Sequence, residues 1–129
     1  MSLKRTLVGI VRSYESTGDR AKDPQLKTHY YQLTRDKAWE EITSSLKKIQ
    51  GYKVLHEVAS VGEITMEKRT FTGRTMDITV SVIQVSPSKA AVDIYSASRG
   101  GLGDFGANYR VVKDLYAVLD KKLAAYKTE

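Results

Sequence analysis

The chain has 129 residues, 41% hydrophobic and 28% charged, with a formal net charge of +6; that length suits one domain able to bury roughly two-thirds of its unfolded surface. There is no cysteine, which excludes disulfides, thiolate zinc sites and cysteine nucleophiles together and permits a reducing, cytoplasmic setting. The basic balance favours weak attraction to anionic surfaces, but Lys47-Lys48 and Lys121-Lys122 stand beside acids on helical segments, the pattern of a solvated face rather than a phosphate-binding stripe.

At the start of the chain Leu3, Leu7, Val11 and Tyr14 fall at helical spacing with Lys4, Arg5 and Arg12 between them. This predicts a short amphipathic helix over 3–14, docked on the domain or lying on a membrane. The apolar run Leu7 to Val11 is too short for a secretion signal or a membrane span. Ser16 to Lys27 has the composition of a loop. The chain therefore divides into an N-terminal helix and loop, 1–28, and a single α+β domain, 29–129.

His29 to Leu33 reads as a short strand. Thr34 then offers an N-cap hydroxyl and Asp36 a first-turn carboxylate, so a helix starts near Arg35. Its apolar stripe is Ala38, Trp39, Ile42, Leu46 and Ile49, and Gly51 stands where left-handed helix stops are common. Tyr52–Val58, Glu63–Thr70, Met76–Val85 and Ala90–Ser98 follow as strands of an antiparallel meander, with turns at Gly62, Gly73 and Pro87-Ser88. A last helix runs from Phe105 or Ala107 to Ala125, presenting Val111, Val112, Leu115, Val118, Leu119 and Leu123 to the sheet. The fold class is α+β: an antiparallel sheet of about five strands with helices packed on it, in the order (α)-β-α-β-β-β-β-α. That order is similar to half a TATA-binding-protein fold or to a short helix-grip fold, an analogy that carries no function by itself.

Between the last strand and the last helix, the segment Ser96 to Asn108 holds four of the nine glycines. A Ser-x-Ser-Arg run leads through glycines to Asp-x-Gly-x-Asn at a helix start. With the Trp39 helix, Gly62-Glu63-Ile64 and Met76-Asp77-Ile78, this resembles the bacterial domain-of-unknown-function family 1499 over residues 29 to 123. The resemblance implies the fold and draws attention to this loop; it brings no activity with it. Tyr95 stands where an arginine is expected in many members.

Gly101, Gly103 and Gly106 spell G-x-G-x-x-G, but the preceding strand belongs to an antiparallel meander and only 23 residues follow Gly106. These surroundings argue against the βαβ unit that a dinucleotide site needs, so none is expected. Two readings of the loop stay open. In one, glycine N–H groups at a helix N-terminus join Arg99 to hold a carboxylate or phosphate, with Ser96, Ser98, Arg99, Gly101, Gly103, Asp104, Gly106 and Asn108 as the ligand-binding set. In the other the same residues form a structural lock: Asp104 caps the helix and pairs with Arg99, while Ser96, Ser98 and Asn108 tie the loop.

Catalytic signatures are lacking: there is no G-x-S-x-G, Walker or H-E-x-x-H sequence. His29 and His56 are the only histidines, and neither has metal-like spacing, so no metal and no cofactor are expected. His56 reads as a surface or edge histidine, and Asp77 and Asp93 as members of cross-strand charge pairs. The expected function is a non-enzymatic small-ligand or anion-binding module. The alternatives are membrane or protein-partner binding through the basic first helix and, least favoured, nucleic-acid binding. The expected location is cytoplasmic or peripheral to a membrane.

Overall fold

Alternation of apolar and polar side chains builds the largest element of the structure, a computed structural model that describes residues 14–70, 73–99 and 106–128. Two short strands, Tyr14–Ser16 (β1) and His29–Tyr31 (β2), precede the helix Arg35–Leu46 (α1). The strands Tyr52–Val58 (β3), Glu63–Arg69 (β4), Thr75–Ser86 (β5) and Lys89–Ser98 (β6) follow, then the helix Ala107–Lys122 (α2). Single 3-10 turns occur at Pro24–Leu26 and Ala124–Tyr126. The sheet has six antiparallel strands in the order β1-β6-β5-β4-β3, with β2 also on β6.

Strands β3 to β6 form the expected meander. In β5, Met76, Ile78, Val80 and Val82 are buried and alternate with half-buried polar residues. They join Ile64 and Met66 of β4 and Val92 and Ile94 of β6 on one face, against Ile42 and Leu46 of α1 and Val112, Leu115 and Leu119 of α2. Each such side chain contributes about 1.5–3 kcal/mol of burial. α1 lies over β5 and β3, and α2 over β6 and β1. Thr34 caps α1 as expected, its hydroxyl accepting from the Lys37 N–H at 3.2 Å. Among the described residues no helix is long and apolar enough to cross a membrane.

The edges differ from the sequence reading. Tyr14 to Ser16 is a strand, where a helix end and a loop were expected: β1 opposes Tyr95–Ala97 while β2 opposes Ala90–Val92. Two short strands thus lie end to end along one side of β6, whose unpaired N–H and C=O groups would otherwise face water. Local periodicity carries no trace of this, because three residues make no pattern. The domain accordingly takes in residues 14–28, and the rest of the expected first helix lies outside the described residues. α2 also stops at Lys122, short of Ala125. The chain is drawn instead to the free side of β2, where the Gln32 N–H donates to Tyr126 O at 2.6 Å and Tyr31 bridges Lys127. At the opposite edge, β3 carries a register slip between Val54 and His56 that leaves Leu55 with no residue opposite. His56 is exposed there.

The β3–β4 turn is fixed by Gly62, whose φ of 73° is left-handed and whose carbonyl accepts from the Val82 N–H at 2.7 Å. A Cβ at this position would run into the Val82 carbonyl oxygen, with the Arg35 guanidinium close behind. Arg35 itself donates to Ala59 O in the same turn. Gly62→Ala should therefore cost about 2 kcal/mol or more through backbone strain plus the clash. Urea unfolding of the two proteins measures it, and an unchanged midpoint would mean that the turn relaxes freely.

Candidate functional site

The residues singled out in the sequence separate into three groups. Ser96 and Asn108 are fully buried where β6 ends and α2 begins; the Ser96 hydroxyl donates to Asn108 Oδ1 at 2.5 Å, and Asn108 Nδ2 donates to the Ser98 hydroxyl at 2.9 Å. Gly106, with a φ of 83°, is the N-cap of α2. Arg99 is exposed on the opposite face of the sheet. Gly101, Gly103 and Asp104 lie outside the described residues.

The partners of Arg99 are Asp77 and Glu67. Its Nε and Nη2 donate to the two Asp77 oxygens at 2.9 and 2.7 Å, and Nη2 reaches Glu67 Oε2 at 3.2 Å. Glu67 and Asp77 stand directly opposite each other on β4 and β5, a like-charge pair that is unfavourable unless a cation bridges it. The hydrogen bonds with Asp77 hold the guanidinium firmly charged. Cross-strand charge pairing of Asp77 is thus present, but its cation is Arg99 from the end of β6. Asp93 departs from that expectation. Its Oδ1 accepts from the Thr17 and Thr28 hydroxyls, both at 2.7 Å. It sits in the gap between the stretches of β6 that β1 and β2 cover, so hydroxyls flanking the 17–28 loop reach it and, among the described residues, no cation pairs with it.

That arrangement aims His29 inward, a residue the sequence reading set aside. β2 pairs His29 with Val92, which is fully buried, so the imidazole faces α2. Its ring stacks on Tyr116 with centroids 3.4 Å apart and planes within 2°. Its Nδ1 lies 2.9 Å from Asp120 Oδ1, the same oxygen that accepts from the Tyr31 hydroxyl at 2.6 Å. Burial lowers the His29 pKa below its ordinary 6.5 and outweighs the pull of Asp120. The imidazole is therefore neutral near pH 7. Since a carboxylate can only accept, the proton resides on Nδ1. Burial, reinforced by Asp120, raises the Tyr31 pKa, and burial also raises that of Tyr116, whose hydroxyl donates to Val92 O at 2.7 Å.

Among the described residues the imidazole hydrogen-bonds through Nδ1 alone, which leaves Nε2 without a protein partner there. His29 lines two adjoining clefts. One, of about 250 Å³, runs along α2 past Lys113, Tyr116 and Asp120; the other, of about 230 Å³, lies between Lys27 and Lys127 with Asp19 at its wall. The signal that could have found this site was the three- and four-residue spacing of Lys113, Tyr116 and Asp120 on α2, which puts them on one face. Nothing in sequence joins that face to His29. Among the described residues no cluster of histidine and carboxylate side chains is arranged to hold a metal ion.

Residues 10–119 match the family described as "Protein of unknown function (DUF1499)". No curated protein matches the chain in sequence. Among solved structures it is similar to the di-domain ARO/CYC BexL from the BE-7585A biosynthetic pathway, with 12% identity, a TM-score of 0.53 and 87% of this chain covered. The chain spans 44% of that protein's length. Weaker likenesses are to the Zhui aromatase/cyclase from a Streptomyces species (10% identity, TM-score 0.45, covering 87% of this chain and 86% of that one) and to a conserved protein from Geobacillus kaustophilus (12%, 0.47, 76% and 90%). At such identity the likeness to BexL supports the fold alone, an antiparallel sheet folded around a C-terminal helix.

Two outcomes follow from these contacts. Asn108→Ala leaves two serine hydroxyls without their partner in or near the core and should cost about 2–4 kcal/mol; Arg99→Ala, at the surface, uncovers the opposed Glu67 and Asp77 and should cost about 1 kcal/mol or less at physiological ionic strength. Denaturant titration of both variants checks this, and equal losses would refute the division between lock and surface clamp. For His29, the native pKa lies below the unfolded value, so the unfolded chain takes up a proton first as pH falls. Its stabilising contribution is complete above about pH 6.5, declines as pH falls towards the native value and is gone below it. Stability measured across that window should fall more steeply for the wild type than for His29→Gln, and parallel curves would contradict the assignment.

Proposed function

We infer that this chain, which belongs to the DUF1499 family of proteins of unknown function, is a non-enzymatic module that binds a small anion at His29 and takes up a proton as it does so. The observation that carries this reading is the unpartnered Nε2 of His29, a residue that lines both of the clefts bordered by Lys27, Lys113 and Lys127. The bland alternative is a tie between β2 and α2. It accounts for Nδ1 on Asp120 and for the ring on Tyr116, and Lys113 and Lys127 also rest over the Tyr109 and Tyr31 rings, but it leaves the second nitrogen without a role.

A neutral imidazole with its proton on Nδ1 presents a lone pair at Nε2 and repels an anion. Protonated, it presents a second N–H, and the imidazolium is then held between Asp120 on one side and the ligand on the other. The charges around it favour the exchange. Asp120 already accepts two hydrogen bonds and Asp19 accepts one from the Tyr30 hydroxyl, while three lysines border the clefts. Binding therefore raises the His29 pKa, and affinity grows with acidity. The cleft volumes suit a carboxylate, sulfate or phosphate group with little attached to it.

Ser96, Ser98 and Asn108 serve in this reading as the lock that seats α2 on the sheet, and Arg99 as a surface clamp. Nucleic acid stays disfavoured, because on the face of the sheet away from the helices Glu63, Glu67 and Asp77 offset Lys53, Arg69 and Arg99 and leave no basic surface among the described residues. The membrane alternative rests on residues 3–14, of which only Tyr14 is described, in a strand.

Sulfate, whose charge is constant over the useful range, is the cleanest probe. Titration calorimetry should show affinity rising as pH falls from about 7.5 to 5.5, by at most tenfold per unit, with proton uptake visible as a buffer-dependent enthalpy. His29→Gln should bind weakly and without pH dependence. Binding by the wild type that ignores pH, or equal binding by the variant, would overturn the reading.

A further inference from the structure

We propose that the groove between the C-terminal turns of α1 and α2 is a second binding site, for a single-chain amphiphile with an anionic head. The groove is an open one of about 640 Å³, and His29 is not part of its lining. Its floor is Ile49 and Val118, both half-buried, and Ser44, Lys48, Lys121 and Lys122 stand around it. That volume falls within the roughly 300–1,000 Å³ typical of small-molecule sites.

Lysines near helix C-termini have an ordinary explanation, compensation of the negative ends of the helices. Magnitudes decide how much of the charge this uses. Each helix end amounts to about −0.5 of an elementary charge, and Glu41 takes Lys122 at 3.4 Å. Two helix ends and one carboxylate offset about two of the three lysine charges, and roughly one positive charge is left over. Lys48 and Lys121 have no ion-pair partner among the described residues. Positive charge in excess of local need, around an exposed apolar floor with no acid lining it, is the complement of a fatty carboxylate: head to the lysines, chain along Ile49 and Val118 and the lysine stems.

Other occupants fit less well. The N-terminal segment of this chain carries Lys4, Arg5 and Arg12, which the same lysines repel. A flat bilayer needs apolar side chains that project, and here they are recessed between two helices. Nucleic acid has no use for the apolar floor.

The test uses decanoate below its micelle concentration, with decanol as the uncharged control and vesicles containing phosphatidylglycerol as the membrane control. Methyl NMR of the intact chain should show saturable shifts at Ile49 and Val118 with decanoate, and decanol should bind roughly tenfold more weakly. Lys48→Gln with Lys121→Gln, both exposed and harmless to the core, should lose about the same factor, and Val118→Asp should abolish binding while leaving the circular dichroism spectrum unchanged. Equal binding of decanoate and decanol, shifts that spare Ile49 and Val118, or binding to vesicles alone would each overturn the proposal. The His29 variants should bind decanoate normally, so this site stands or falls separately from the sulfate site.

Discussion

One carboxylate oxygen of Asp93 receives the hydroxyls of both Thr17 and Thr28, and the geometry around His29 depends on that convergence. β6 is covered on one side by β5 and on the other by two strands of three residues each, neither long enough to hold its register alone. The two threonines flank the excursion between those strands and fasten both of its ends to the middle of β6. Further bonds reinforce the same point: Thr17 Oγ1 accepts from the Ile94 N–H at 2.8 Å, and the Thr17 N–H donates to Ile94 O at 3.0 Å. Because side chains alternate along a strand, a slip of one residue in β2 would turn His29 and Tyr31 away from α2 and bring Tyr30 inward.

The inward direction of β2 sets up a competition at His29 that neither element decides alone. Stacking on Tyr116 and shelter beneath the 17–28 excursion remove water from the ring and favour the neutral form, while Asp120 favours the charged form. Desolvation prevails in the unliganded protein, but Asp93 supports the charged form and Lys127 opposes it, so the balance is set by charges from β6, α2 and the C-terminal segment together. A modest external charge is enough to reverse such a balance. On the proposed reading, a pre-formed cleft would thereby distinguish ligands by charge without a change of backbone.

The meander and both helices were legible because each is long enough to show its period. Alternation ran through Met76 to Val82, and the spacing of Ala38, Ile42 and Leu46 marked α1 together with Thr34 as its cap. β1 was not legible, since its three residues exist as a strand only because β6 has an edge to cover. The same limit applies to the site. Ser96, Ser98 and Asn108 stood out through an unusual local composition, and they lie close together in space because they are close in sequence. His29 and Asp120 are 91 positions apart, and only the placement of β2 beside β6 with α2 across it makes them neighbours. Arg99 stood out as an arginine in a glycine-rich segment, but its electrostatic partners lie on two strands whose opposed acids appear only once the register is known.

The unpaired Leu55 in β3 bears on how the molecule behaves in a crowd. Among the described residues β3 is the one long strand with a free side, and near it Val58, Val61, Ile83 and Val85 are exposed. An evenly pleated strand there would offer a foreign chain a continuous row of hydrogen-bonding groups beside an adhesive surface. The bulge at Leu55 breaks that row halfway, and Lys53 adds charge, so an incoming strand can match only half of the edge before it falls out of phase. Removing a single residue from β3 would restore the even pleat, with fibril growth as the hazard. One irregular residue in a strand thus guards an edge that the net charge of the surface leaves exposed.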